Sequence, residues 1–259
     1  MCHLLGIPRS SYYYQAKDKP SEEYLESAVK EIFSQSRKSY GARKIKKMME
    51  GRGIRLSRRR IRRIMKRLHL VSVYQKRRFK PQSTGKNTAL IPNRLKRQFQ
   101  GQKPLEALVT DLTYVWVQGR WAYVCLMIDL FNREIVGTST GWQKSADLVR
   151  QALYSIPYGL TKVTLFHSDR GKEFDNELID ELLEAFGIKR SLSQAGCPYD
   201  NAVAESTYHC FKTEFVSQNT FQDLEELDHM TKSYVYWWNH QRIHGSLDYQ
   251  TPMNIRNNY

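Results

Sequence analysis

Apolar residues return at helical spacing through residues 21–36, at Tyr24, Leu25, Ala28, Val29, Ile32 and Phe33, with Ser21 placed as a cap and acids in the first turn. One amphipathic helix is predicted there. In residues 39–70, Ile45, Met48 and Met49 share one helical face, Gly51 and Gly53 interrupt it, and Ser57 can cap a second run striped by Ile61, Ile64, Met65 and Leu68. The pattern predicts a helix-turn-helix-like pair. Beyond Pro104 the period shortens to alternation: residues 107–117, 120–129 and 134–140 are β-branched and aromatic runs separated by turns at Gln118-Gly119 and Phe131–Arg133, which predicts a three-stranded antiparallel meander. Residues 145–155 then read as a helix, 162–169 as a buried strand, 173–186 as a helix ended by Gly187, and 188–193 as a short strand. Two further helices, 201–215 and 223–241, follow. Three hairpin-linked strands and then alternating helices and strands imply a mixed sheet with helices packed on it.

Composition supports a folded chain, since 41% hydrophobic and 26% charged residues in 259 is an ordinary globular balance for one large or two ordinary domains. Cys2, Cys125, Cys197 and Cys210 have no zinc-ribbon or disulfide-framework spacing. The longest uninterrupted apolar stretch, Trp121 to Ile128, is less than half of what a bilayer span needs. No membrane segment is predicted, and the reducing cytoplasm is the expected location.

Charge changes the picture more. Residues 37–103 hold 24 Lys and Arg against the single carboxylate Glu50, a net of +23, whereas residues 104–259 carry a net of −7. A segment so basic repels itself unless it meets a polyanion, and nucleic acid is the favoured one over a solvated face or an anionic membrane surface. Arg58, Arg59, Arg60, Arg62, Arg63, Lys66 and Arg67 surround the narrow apolar seam of the second helix, as a helix pressed on phosphates requires; the alternative is a solvated helix in a small bundle. The chain therefore divides into an N-terminal helical segment (1–36), a basic DNA-binding domain (37–74), a basic linker rich in Pro and Gly (75–104) and an acidic domain (105–259).

Three acids of that last domain stand out by their surroundings. Asp111 lies mid-strand among apolar neighbours in VTDLTYV, where an unpaired carboxylate is costly. Asp169 follows the fourth strand in HSDRG, at the end where sheets flanked by helices usually carry chemistry. Glu205 sits in the first turns of the helix after GCPYDNAVAES, and Asn201 is placed to cap that helix and position it. Oxygen-only ligands select hard cations such as Mg²⁺ or Mn²⁺, and two such ions can serve in-line phosphoryl displacement. Lys212, seven residues beyond Glu205, falls on the same helical face. His167 is expected to pack or hydrogen-bond beside Asp169. His240 and His244 lack further ligands at zinc spacing and, with Asn239 and Arg242, are expected to form a backbone-contacting or structural C-terminal motif.

The strings VTDLTYV, IDLFNREIVG, HSDRG, YDNAVAES followed by KTE, and WWNHQRIHGSLDYQTP occur in this order. Together they resemble the second-frame transposases of the insertion sequence 3 family, and residues 39–70 resemble that family's helix-turn-helix segment. The resemblance implies a ribonuclease H-like, mixed five-stranded sheet flanked by helices (an α/β integrase catalytic core), preceded by a small helical domain. It implies that Asp111, Asp169 and Glu205 form a metal-binding catalytic triad for DNA cleavage and strand transfer at element ends, one end first attacking the other to give a circular intermediate. It also implies that Lys212 contacts end DNA and that Arg242 belongs to a DNA-contacting motif. The implied partners are element-end and target DNA, further copies of the chain on DNA, and an upstream first-frame protein. The chain departs from the family at Leu108 (commonly Trp), at Gly137-Thr138 (often Gly-Trp after the third strand) and at Lys172-Glu173 (more usually Ser-Gln). Two rivals stay open: a DNA-binding regulator with a decayed core, and a ribonuclease H-like nuclease acting by hydrolysis alone.

Overall fold

The computed structural model describes residues 21–75, 91–100, 103–194 and 197–259, together with Gly6, Pro8, Tyr13 and Tyr14. Most of residues 1–20, and residues 76–90 of the predicted linker, lie outside the described residues. The chain forms two compact units, Met1–Val71 and Ser72–Tyr259.

In the first unit, α1 (Glu22–Gln35), α2 (Ala42–Gly51) and α3 (Arg58–Arg67) pack on one another. Ser21 and Ser57 cap α1 and α3 as predicted, their hydroxyls accepting from the Tyr24 and Arg60 N–H groups. The predicted stripes are buried at Leu25, Ala28, Val29, Ile32, Phe33, Ile45, Met49, Ile61, Ile64 and Met65, whereas Tyr24 is exposed. The division at residue 36 is corrected here: α1 is one layer of the helical unit, because two short helices cannot bury both their stripes without a third. Its acids also engage the basic helices, Glu22 pairing with Arg60 and Arg67 at 2.7 Å each and Glu31 with Arg52 at 2.8 Å.

In the second unit, β1 (Ala107–Val117), β2 (Arg120–Asp129) and β3 (Ile135–Gly141) form the predicted meander. Gln118 and Gly119 make its first hairpin with φ of 34° and 88°, a positive pair that Gly119 adopts without strain. After α4 (Ala146–Tyr154), strand β4 (Leu165–Ser168) pairs parallel with β1, and after α5 (Glu177–Ala185), β5 (Lys189–Leu192) pairs parallel with β4. The sheet order is β3-β2-β1-β4-β5. The helix predicted from residue 173 begins at Glu177, because Asn176 takes the cap position and accepts from the Ile179 N–H. Helices α6 (Ala202–Glu214) and α7 (Leu224–His240) follow, and then α8 (Pro252–Asn257), which the pattern did not predict.

Two cores lie on opposite faces of the sheet. Val109, Val115, Val124 and Leu126 pack with Tyr208, Phe211, Tyr234 and Trp238 of α6 and α7; Leu108, Cys125 and Met127 pack with α4 and α5. The linker assignment also needs correction. Leu95 is buried in the first core, the Ser191 hydroxyl accepts from the Arg94 N–H at 2.8 Å, and Arg97 pairs with Asp200 at 2.6 Å, so residues 91–100 are packed into the second unit. The Gly-Trp pair sought at Gly137-Thr138 stands four residues on, where Gly141 ends β3 and Trp142 follows.

Candidate active site

The parallel register of β1 and β4 creates the site. Val109 is the partner of His167 and the last registered pair, so Asp111 on β1 and Asp169 just past the end of β4, each two residues further along, emerge near one another on the same sheet face as the strands diverge. It is the face that α6 covers. Asp111 is half-buried and its Oδ1 accepts from the Leu112 N–H at 2.7 Å; Oδ1 of Asp169 accepts from the Gly171 N–H at 3.0 Å. Burial and then the charge of Asp169 push the Asp111 carboxyl up to about 7, against the pull of the Leu112 N–H and Lys212. Burial raises Asp169 as well, with the charge of Glu173 adding to it and Lys144 opposing.

Glu173 and Lys144 belong to this site, and sequence reasoning missed both as functional groups. Glu173 is buried beside the aspartates, at a turn where a Cβ on Gly171 would collide with its carboxylate. Lys144 reaches it at 2.8 Å. Burial works against the lysine's charge, yet Glu173, Asp169 and Asp111 together hold its ammonium above the ordinary lysine value. The only signal in the chain was Lys172-Glu173, read as a departure from the family pattern that bears on packing and substrate preference and not on the reaction.

Glu205 stands apart from the aspartate pair. Its side chain is exposed and burial alone raises its carboxyl. Among the described residues no three His, Cys, Asp or Glu side chains group closely enough to hold a metal. Its helix turn is nevertheless pinned to β1. Asn201, one turn before, donates to the Thr110 carbonyl at 3.1 Å; Tyr208, one turn after, donates from its hydroxyl to the Asp111 carbonyl and accepts from the Leu126 N–H at 2.6 Å. Lys212 is the next residue on this stripe, its ammonium 5.1 Å from the centre of the Tyr114 ring. Positions 201, 205, 208 and 212 thus run along β1 from Thr110 to Tyr114. Asn201 occupies the cap position without making the predicted side-chain cap; it ties helix to strand instead.

The remaining predicted residues separate clearly. His167 is buried between Ser191 (2.8 Å from Nδ1) and Ser193 (3.2 Å from Nε2), and burial lowers it to about 4, so it stays neutral. Arg242 is corrected from a DNA contact to a structural group, because it is buried, bonds Glu214 through Nε and Nη2 at 2.8–3.2 Å and lies over the Trp238 ring. Asn239 closes both backbone bonds of Ile135 at 2.9 Å, and His244 packs edge-on against Trp238. His240 stacks on Tyr236 instead. On α3, Arg58, Arg59, Arg62, Arg63 and Lys66 are exposed and, among the described residues, make no ion pair; Arg60 and Arg67 are held by Glu22.

A five-stranded mixed sheet with carboxylates where β1 and β4 diverge, in a chain that also carries a basic helical unit, defines an integrase-type polynucleotidyl transferase. Models of the integrase core domain match residues 101–198 and 186–252, and a model of an HTH-like domain matches residues 20–78. The chain is 31% identical to the insertion element IS600 uncharacterized 31 kDa protein of Shigella sonnei, over 100% of this chain and 98% of that protein. It is 30% identical to the putative transposase InsK for insertion sequence element IS150 of Escherichia coli (strain K12), over 97% of this chain and 90% of that protein. The simian T-cell lymphotropic virus intasome contains a chain of the same fold, with TM-score 0.52 and 14% identity over 88% of this chain and 73% of that one. The chain belongs to the insertion-sequence transposases, of the second-frame type of the insertion sequence 3 family, and its function is DNA transposition.

Proposed function

We propose that Asp111, Asp169 and Glu205 hold two divalent ions, Mg²⁺ or Mn²⁺, and that the chain uses them to cut its element's ends and join the freed 3′ ends to other DNA. One observation carries this reading: carboxylates from β1 and from just beyond β4 lie close enough for the charge of Asp169 to add to burial in raising the Asp111 carboxyl. Such a pair is short of positive charge, and its all-oxygen donor set suits a hard cation. When bound, the ions supply stabilisation of the attacking and leaving oxygens of the phosphodiester. Asp111 and Asp169 are prepositioned by the sheet. Glu205 joins them from a helix turn already anchored to Thr110 and Asp111, which supports its entry by side-chain rotation alone. Lys212 holds end DNA beside the carboxylates, and Arg58, Arg59, Arg62, Arg63 and Lys66 hold the backbone further out. The family resemblance supports action as an oligomer on DNA, with an upstream first-frame protein as a partner. Cys125, Cys197 and Cys210, none of them in a disulfide, suit a reducing cytoplasm, and among the described residues no helix is long and apolar enough to cross a membrane.

Labelled element-end DNA incubated with Mg²⁺ tests the reading. Wild type is expected to give nicked and joined products; Asp111→Asn, Asp169→Asn and Glu205→Gln should give neither while still binding DNA, because each removes a ligand and no DNA-facing cation. Hydrolysis without joined products would favour a plain nuclease, and full activity in any of the three variants would refute the triad.

A further inference from the structure

We infer that an exposed aromatic ladder on β1 and β2 is a stacking platform for unpaired bases of the DNA end held at the carboxylates, an inference that rests on the function proposed above. Register pairs Tyr114 with Tyr123 and Trp116 with Trp121, and the rings of Tyr114, Trp116 and Trp121 stay 47%, 52% and 49% exposed. Trp121 meets Tyr114 edge-on at 5.0 Å and Trp116 at 4.8 Å, so the rings brace one another while keeping surface open to solvent. Cross-strand aromatic pairs stabilise a hairpin. That role does not require leaving about half of two indoles in water, beyond the helices that cover the same sheet face lower down.

Position identifies the occupant. Tyr114 lies three residues along β1 from Asp111, about 10 Å at strand rise, so the two side chains alternate to opposite faces of the strand and are joined only around its edge, a path within the span of one or two nucleotides. The described β1–β4 ladder stops at Val109, so from Asp111 onward β1 is paired only with β2, and its other edge opens next to the carboxylates. Lys212 links the two regions: its charge acts on Asp111 and its ammonium lies over the Tyr114 ring. A strand whose phosphate rests at the aspartates and Lys212 passes around this open edge of β1 to bring its neighbouring bases to the ladder on the other face. Paired bases cannot use it, because their faces are already stacked within the duplex; bases freed at a melted end can, whatever their identity. A second copy of the chain would cover the apolar rings but has no use for the adjoining cation and carboxylates.

The test compares the full chain's affinity for two duplexes of equal length and unspecified sequence, one fully paired and one with a few mismatched terminal pairs carrying 2-aminopurine, by fluorescence anisotropy in EDTA so that no cleavage occurs. Wild type is expected to prefer the frayed end about tenfold and to quench its 2-aminopurine. In Trp116→Leu/Trp121→Leu the preference should fall to about one, while Trp116→Phe/Trp121→Phe should keep most of it; the Phe pair decides the matter if the Leu pair unfolds. An equal preference in the Leu variant, or none in wild type, overturns the inference. So does loss of self-association by the Leu variant with its preference intact, which assigns the face to a second copy. Binding to paired duplex without any frayed-end preference sinks the platform alone. Binding to neither duplex sinks the proposed function with it.

Discussion

At Asp111, burial and a facing carboxylate act in the same direction, and the consequence is measurable without any DNA. A carboxyl raised to about 7 in the native state but titrating near 4 when unfolded binds a proton that the unfolded chain has lost, so its contribution to stability declines as pH rises from about 4 to 7. His167, lowered to about 4, works oppositely and favours the fold as pH rises through about 4 to 6.5. Asp111→Asn removes only the first effect. In EDTA, urea unfolding should show the variant gaining stability relative to wild type between pH 5 and pH 7.5; a difference that stayed constant would mean that Asp111 is an ordinary carboxylate. Glu173 makes a second case. Its burial beside Lys144 means that Glu173→Gln leaves the lysine next to the aspartates without its closest anion. That variant should unfold at lower urea than wild type and bind Mg²⁺ more weakly by calorimetry, since Lys144 then competes for the same carboxylates.

Helix α3 shows what an element adds to its residues. Seven cations crowd the helix, but α1 engages Arg60 and Arg67, leaving Arg58 and, as a stripe at successive turns, Arg59, Arg62, Arg63 and Lys66. Replacing Arg59, Arg62 and Arg63 with Gln should weaken DNA binding and flatten its salt dependence by about 0.9 per lost phosphate contact. The Arg60→Gln/Arg67→Gln pair should leave that slope nearly unchanged, and anisotropy titrations across salt concentrations separate the two sets. Helix α6 carries the corresponding lesson for the site. Its 201–205–208–212 stripe was half visible in the spacing of Glu205 and Lys212, but Tyr208, which joins the helix to the Asp111 carbonyl, read as an ordinary aromatic among others.

Across the whole catalytic unit, the C-terminal motif is a lock. Glu214 at the end of α6 takes Arg242 from beyond α7, the Tyr234 hydroxyl at 2.9 Å and the Tyr74 hydroxyl at 2.5 Å, and Glu214, Arg242 and Tyr234 are all buried. Removing one partner strands a buried charge, so Arg242→Met and Glu214→Gln should each cost about 3–5 kcal/mol in urea unfolding. The salt slope of DNA binding, read on whatever fraction remains folded, should stay as in wild type; a slope lowered in Arg242→Met would return that residue to the DNA interface.

Element types, their order, the segregation of charge and the identity of the candidate acids could all be read from the chain, because amphipathic period, capping and local charge act over a few residues. Asp111 and Asp169 were legible as suspects from equally local signals: the first sits mid-strand, where a lone carboxylate is costly, and the second at the strand end where such sheets carry chemistry. Which groups meet was decided by tertiary structure. The parallel β1–β4 register sets the aspartates near one another, the turn at Gly171 brings Glu173 to Lys144, and the packing of α7 buries Arg242 against Glu214. These contacts join residues 28 to 58 positions apart and depend on how whole faces of the sheet are covered, a balance of burial summed over many side chains that no local pattern records.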